Sequence, residues 1–459
     1  MSNQNLENIS ALDGRYQSKL AEIAECTSER ALFKYRVEVE CKWFLCIANN
    51  PGIKELPTLE KKQILAVEKI FKEFCLADAI SIKEIEKVTN HDVKATEYFV
   101  KEKLANISGL EDSIEFVHFA CTSEDINNLA YALMLTDCRI ILSNLMQDLI
   151  NQISDLASSN EDLSILSRTH GQAASPSTIG KELSVFTNRL RSQHEQLDQV
   201  DILGKLNGAV GNFNAHKIAY PDIDWIQESS DFVRTLGLEP NLVTTQIEPH
   251  DYIAEYCHVL IRFNQILLDF NQDIWHYIAL DYFEQIQIET ETGSSTMPHK
   301  INPIDFENSE GNLGIANALL AHIASKLQVS RWQRDLSDST VLRNIGSALG
   351  HCYLSYQSSI KGIKRLTVNK TSIAKDLENN WAVLAEAIQT VMRKYGSSEP
   401  YERLKTLTRG KPITRESYKE LLEQLEIPEK AKTELSKLTP DSYVGLAGQL
   451  AILEKPKKN

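Results

Sequence analysis

Ile253-Ala254-Glu255-Tyr256-Cys257-His258-Val259-Leu260-Ile261-Arg262-Phe263-Asn264-Gln265-Ile266-Leu267-Leu268-Asp269-Phe270-Asn271-Gln272-Asp273-Ile274-Trp275-His276-Tyr277 decides the fold. Ile253, Tyr256, Leu260, Phe263, Leu267, Phe270, Ile274 and Tyr277 recur at alternating steps of three and four, the 3.5-residue seam of helices packed along their length. The stretch lies in a 43-residue run, 250–292, with neither glycine nor proline, the residues that most readily break a helix. Val259, Ile266, Trp275, Ile278 and Leu280 add apolar surface beyond the seam, so cover from several helices or from other subunits is expected.

A second run free of glycine and proline spans 61 residues, 110–170. Shorter helices are predicted over 29–47, 179–203, 224–236, 304–328 and 344–366, each bounded by polar or turn-forming residues, while strand-like alternation is scarce. From about 367 onward, short Lys/Glu-rich amphipathic pieces are separated by Gly396, Gly410-Lys411-Pro412, Pro428 and Pro440. The expected fold is all-α, with three helical domains: an N-terminal domain over 1–110, a central long-helix bundle over 111–366 that assembles with other subunits, and a small C-terminal domain over 367–459.

The net charge of −14, from 49 basic and 63 acidic side chains, argues against a general nucleic-acid or acidic-membrane binder, so an anionic ligand would need a local positive pocket. Eight cysteines, Cys26, Cys41, Cys46, Cys75, Cys121, Cys138, Cys257 and Cys352, are scattered without a CxxC pair, which suggests neither a zinc site nor a disulfide framework. The N-terminus begins polar and no stretch reaches the roughly 18 continuous apolar residues of a membrane span. A soluble cytoplasmic protein with reduced thiols is expected.

The central run ends at Gly293-Ser294-Ser295-Thr296-Met297-Pro298-His299-Lys300-Ile301-Asn302-Pro303, which a long helix is expected to deliver. Its glycine, hydroxyls, ammonium and amide make it donor-rich, as an oxyanion requires; the plainer reading is a polar turn. Ser167-Arg168-Thr169-His170-Gly171-Gln172 closes the 110–170 run and puts a histidine, able to exchange protons near neutral pH, at an expected helix-to-loop junction. Taken alone, such a histidine is more often structural.

Thr89-Asn90-His91-Asp92 and Thr122-Ser123-Glu124-Asp125 offer polar groups that suit either a ligand or a helix N-terminus, and the two uses can coexist. Residues 331–343 bring Arg331, Arg334 and Arg343 together with several hydroxyls, a grip for phosphate or carboxylate, or else a salt-bridged surface with Asp335 and Asp338. Gly204-Lys205-Leu206-Asn207-Gly208-Ala209-Val210-Gly211 lacks the spacing of a nucleotide-phosphate loop and reads as a close-packed turn.

The Gly293 loop, the Thr169-His170 segment and the Thr122-Ser123 segment together resemble the fumarase/aspartase superfamily, whose signature has the form GSSxMPxKxN. Within it the chain resembles the adenylosuccinate lyase family of the longer bacterial type. This likeness is carried by Asp13-Gly14-Arg15-Tyr16, Thr89-Asn90-His91-Asp92, residues 167–172, Thr245-Gln246-Ile247-Glu248-Pro249-His250-Asp251 and residues 331–343, and it runs through nearly the whole chain.

The resemblance implies elimination of fumarate from adenylosuccinate, giving AMP, and from the succinyl-carboxamide ribotide SAICAR, giving AICAR, in purine synthesis. It makes Ser294 the general base and His170 the general acid, with Lys300 and Asn302 on the succinyl carboxylates. Arg15, Tyr16, Asn90, His91, Asp92, Thr122, Ser123, Gln246, Asn308, Arg334, Ser339 and Arg343 would line the nucleotide and succinyl sites, and Glu307 would orient a catalytic histidine. It further implies a homotetramer with active sites shared among three subunits, and chemistry that requires no metal or organic cofactor. Another fumarate-releasing lyase, such as argininosuccinate lyase, aspartase or fumarase, and a noncatalytic helical scaffold stay open as alternatives.

Overall fold

The structure, a computed structural model, describes residues 7–286, 296–297, 300–408 and 413–453. Helices dominate it, and the strands are two or three residues long. The chain divides into two compact units, each built from separated segments: Met1–Leu145, Gln193–Asn264 and Gly311–Ser355 in the first; Met146–Ser192, Gln265–Glu310 and Tyr356–Asn459 in the second.

In the first unit, the Glu29–Ala48 helix starts where the Ser28 hydroxyl accepts the Ala31 N–H, and packs against the Lys61–Lys72, Leu76–Thr89 and Asp92–Ala105 helices. Trp43, Phe44 and Ile47 are fully buried, and the Trp43 ring meets Phe232 edge-on at 5.1 Å. In the second unit, Trp381, Leu384, Ile388, Met392, Tyr418 and Leu422 form a separate core among the short C-terminal helices, where the Tyr418 hydroxyl donates to the Leu435 carbonyl.

The two runs free of glycine and proline contain the longest helices, Ser123–Ser158 and Asp251–Ala279. Seam residues Ile253, Tyr256, Leu260, Phe263, Leu267, Phe270 and Ile274 are all buried; beyond the seam Val259 and Ile266 are buried, while Trp275 is 43% and Leu280 36% exposed. The second run does not stay helical to Gly293. Asp281 adopts a left-handed φ of 57°, the Asp281 N–H reaches Ile278 O at 3.0 Å and the Tyr282 N–H reaches Tyr277 O at 2.9 Å. This helix-ending pattern usually uses glycine at the left-handed position. A short strand follows, Phe283–Gln285, antiparallel to Leu366–Val368.

Candidate active site

His170 sits at the tip of a hairpin in which Arg168–Thr169 pairs antiparallel with Gln172–Ala173. The two loop residues, His170 and Gly171, have φ of 53° and 72°, as a type I′ two-residue turn requires at both central positions. The expected helix-to-loop junction is therefore corrected: the Ser123–Ser158 helix ends well before His170, and the turn presents the imidazole to solvent. A non-glycine residue in this backbone region carries a conformational cost that surrounding structure must hold, a pattern common at functional sites. Arg168 provides such an anchor, donating to Asp376 Oδ2 at 2.7 Å and to the Tyr282 hydroxyl at 3.2 Å; that hydroxyl donates in turn to Asp376 Oδ2 at 2.5 Å.

Tyr282 immediately precedes the Phe283–Gln285 strand, the last described element before the signature loop. The long helix expected to deliver the loop thus ends at Ala279, and the last described element before the loop is a strand. Ser294, with Gly293, Ser295, Pro298 and His299, lies outside the described residues. Lys300 is exposed, Asn302 is part-buried, and the Asn302 carbonyl accepts the Ile304 N–H at 2.8 Å as the Ile304–Leu327 helix begins. On that helix, Glu307 accepts from Trp275 Nε1 at 3.2 Å and Asn308 Oδ1 accepts from the Ser358 hydroxyl at 2.8 Å.

In the first unit, Asn90, with φ of 52°, ends the Leu76–Thr89 helix, and His91 begins the next one by accepting the Lys94 N–H on Nδ1 at 3.2 Å. Accepting there leaves Nε2 as the ring N–H. Asp92 Oδ2 lies 2.8 Å from Arg36 and 2.7 Å from Arg343, so one carboxylate joins two of the expected recognition segments. Burial alone would raise the Asp92 pKa; the charge of Arg36 and the hydrogen bond and charge of Arg343 outweigh it and hold the value at about 2. Arg36, on the Glu29–Ala48 helix, was not singled out from sequence; the available signal was a charged residue among apolar neighbours, Leu32, Phe33 and Val37.

Arg36 continues the network, donating to Asn127 Oδ1 at 2.9 Å, while Asn127 donates to Glu124 Oε1 at 2.9 Å. Arg334 reaches the same Glu124 oxygen at 2.9 Å and lies 3.6 Å from Asp338 Oδ2, close enough for charge but too long for a hydrogen bond. Glu124, His250 and Asp338 offer ligand-type atoms within 4.8 Å of one another, and both His250 ring nitrogens are buried without a hydrogen-bond partner among the described residues. Arg334 already supplies this cluster with a cation. Burial pushes the Glu124 and Asp338 carboxyls upward, with Arg334 partly offsetting it, and burial followed by the Arg334 and Lys326 charges drives His250 down to about 4.

Thr122 and Ser123 lie at the start of the Ser123–Ser158 helix, part-buried beside Glu124. Gln246 donates its side-chain amide to Ala209 O at 2.9 Å. Ser339 donates its N–H to Asp338 Oδ1 at 2.5 Å. Arg15 is exposed and its guanidinium lies 6.0 Å from the centroid of the Tyr16 ring. The first unit thus brings Asp92 to Arg343, and Glu124, next to Ser123, to Arg334. It also pairs Arg331 locally with Asp335 at 3.4 Å, the surface ion pair that the plainer reading anticipated.

A family profile described as "Lyase" matches residues 14–317, and one described as "Adenylosuccinate lyase C-terminal" matches residues 330–444. The chain is 54% identical over 444 residues to the adenylosuccinate lyase of Haemophilus influenzae, covering 96% of this chain and 97% of the relative. It is 54% identical over 449 residues to that of Escherichia coli, covering 97% and 98%. Among solved structures, it is similar to a 3-carboxy-cis,cis-muconate lactonizing enzyme from Pseudomonas putida, with TM-score 0.75 and 17% identity over 94% of this chain and 95% of that one. A fumarate lyase from Mesorhizobium aligns with TM-score 0.75 and 15% identity over 94% and 96%. At these identities the structural likeness concerns the fold.

Proposed function

The chain belongs to the adenylosuccinate lyase family, and we propose that it eliminates fumarate from adenylosuccinate, giving AMP, and from SAICAR, giving AICAR, in purine nucleotide biosynthesis. The observation that carries this reading is the likeness to curated adenylosuccinate lyases along nearly the whole chain.

In this reading Ser294 takes the proton from the carbon next to a succinyl carboxylate, and the electron pair left behind spreads into that carboxylate as a dianionic aci form. The pair then becomes the C=C bond of fumarate as the C–N bond breaks, and the departing amine takes a proton from His170. Lys300 and Asn302 stabilise the carboxylates, and one such donor in a dry site is typically worth about 2.7–4 kcal/mol. The exposed hairpin tip supports His170 as the acid, because proton transfer needs an imidazole that can reach a ligand.

Arg15, Tyr16, Asn90, His91, Asp92, Thr122, Ser123, Gln246, Asn308, Arg334, Ser339 and Arg343 bind substrate, with Glu307 in support. Of these, Asp92 also pairs with the Arg343 guanidinium at 2.7 Å. The working form is a cytoplasmic homotetramer with shared sites. The exposed Trp275 and Leu280 beyond the seam support assembly, and eight free cysteines support a reducing compartment.

An absorbance assay of the purified protein with adenylosuccinate, SAICAR, argininosuccinate, aspartate and malate tests the substrate class: turnover of the first two is expected, and turnover of any other in their place rejects the reading. Ser294→Ala and His170→Ala should each abolish turnover with assembly intact, and a near-normal rate in either removes its role. Mixing the two inactive variants with subunit exchange should restore some activity if sites are shared; verified mixed oligomers that stay inactive count against sharing.

A further inference from the structure

Lys205 and Asp125 are both fully buried and form an ion pair, Nζ to Oδ1 at 3.0 Å. Desolvation cancels much of the attraction in such a pair, so its presence argues weakly for stability and directs attention to what it orders. Asp125 Oδ2 accepts the Thr122 N–H at 2.8 Å while the Asp125 N–H reaches Thr122 O at 2.9 Å, closing the first turn of the Ser123–Ser158 helix. A helix cap needs no more than this.

The same carboxylate also holds a second segment. Oδ1 accepts the Asn207 N–H at 3.0 Å, and the Gly208 N–H lies 3.2 Å from Oδ2. Lys205 Nζ donates to Gly208 O at 3.1 Å, and Lys205 exchanges backbone hydrogen bonds with the Asn128 amide at 2.8 and 3.0 Å. From this loop, Ala209 O accepts the Gln246 side chain at 2.9 Å and Asn207 Nδ2 donates to Thr244 Oγ1 at 2.8 Å.

We propose that Asp125, with Lys205 as its counter-charge, is a positioning residue that keeps the Thr122-Ser123 turn and the Gln246 side chain in one register for the succinyl-nucleotide substrate. The proposal rests on the reading in which Thr122, Ser123 and Gln246 contact that substrate. The physical requirement is two acceptor oxygens on one rigid group: an asparagine at 125 turns one of them into an NH2, which then faces either the Asn207 N–H or the Thr122 N–H donor to donor, so one of those two hydrogen bonds is lost.

The test uses the full-length assembled enzyme. Because Asp125→Asn alone leaves Lys205 charged and buried, the informative variant is Asp125→Asn/Lys205→Met, which removes both charges together. With folding checked by circular dichroism, kcat/KM for adenylosuccinate should fall by up to about 10²-fold, mainly through KM, as misplacement of binding groups predicts. Adding Ser123→Ala to this variant should cost less than Ser123→Ala costs in the wild type, a coupling that a purely structural role would not produce. Wild-type kcat/KM in the folded double variant, or full additivity, overturns the proposal. Ser123→Ala and Gln246→Ala without effect in the wild-type background would overturn the underlying site reading instead. Hydrogen-exchange mass spectrometry of the wild type with AMP and fumarate needs no variant: peptides covering 118–125 and 205–211 should gain protection together, and a response in one alone also overturns the proposal.

Discussion

Arg168 donates to Asp376 Oδ2 at 2.7 Å, two residues before the histidine at the hairpin tip. The Tyr282 hydroxyl donates to the same oxygen, so one carboxylate holds both the His170 hairpin and the start of the strand that leads to the signature loop. The pair is about a quarter exposed on each side, and an ion pair of that kind contributes little to stability, on the order of 0–1 kcal/mol. Asp376→Asn should therefore leave the melting temperature nearly unchanged while lowering kcat by up to about 10²-fold through misplacement of the catalytic groups. Steady-state kinetics beside a thermal melt checks this; unchanged kcat would show that the hairpin keeps its geometry without the anchor.

Asp92 should make the first unit acid-sensitive. Its folded pKa, held at about 2 by Arg36 and Arg343 against burial, is below the ordinary 3.8. Its stabilising contribution is thus fully present above about pH 4 and is lost as the pH falls toward 2, amounting to about 2 kcal/mol at neutral pH. Asp92→Asn should lower stability at pH 7 by at least that amount and converge on the wild type in acid. Urea denaturation at a series of pH values measures it, and parallel curves would contradict the assigned linkage.

Arg334→Met should also lose more stability at higher pH, but through carboxyls whose shift has the opposite sign. Glu124 and Asp338 have carboxyls pushed upward by burial, and Arg334 is the charge that partly offsets this. Without it they bind protons more tightly in the folded state than in the unfolded chain. A group with a raised folded pKa favours folding at low pH and loses that contribution as the pH rises through the folded value. The variant's stability deficit should therefore be larger at pH 7.5 than at pH 5.5, and a deficit independent of pH would rule out the carboxyls as its cause.

Two glycines should differ in how they tolerate alanine. At Gly171, φ is +72° and a new Cβ meets nothing within 4 Å, so Gly171→Ala incurs only backbone strain, roughly 1–2 kcal/mol. At Gly211, φ is +76° and the Cβ would stand 2.3 Å from Thr244 O, so the backbone must move as well. Calorimetry should give the larger loss for Gly211→Ala; an equal loss would mean that the 205–211 loop is not pressed against Thr244.

The helices were largely legible in the residues. The segment expected over 29–47 is the Glu29–Ala48 helix, and that over 304–328 is Ile304–Leu327, because the 3.6-residue period and polar ends are local properties. The helix expected over 179–203 ends at Asp198, since Leu203–Gly204 is drawn into a parallel pairing with Glu239–Pro240. His170 was identifiable as a candidate from its motif, but its hairpin was not, since two-residue strands carry no periodicity.

Alone, the sequence determined an all-α chain built on two long helices, since helical periodicity is carried by neighbouring residues, and its motifs carried the family resemblance through which the groups proposed for fumarate elimination were named. Only the tertiary structure decided which charges meet. Asp92 pairs with Arg343 across 251 positions, Arg36 and Asn127 link that pair to Glu124, and a buried lysine answers Asp125. Such pairings depend on which helix faces come together and how far water is excluded there, and both are properties of the packed chain rather than of any segment.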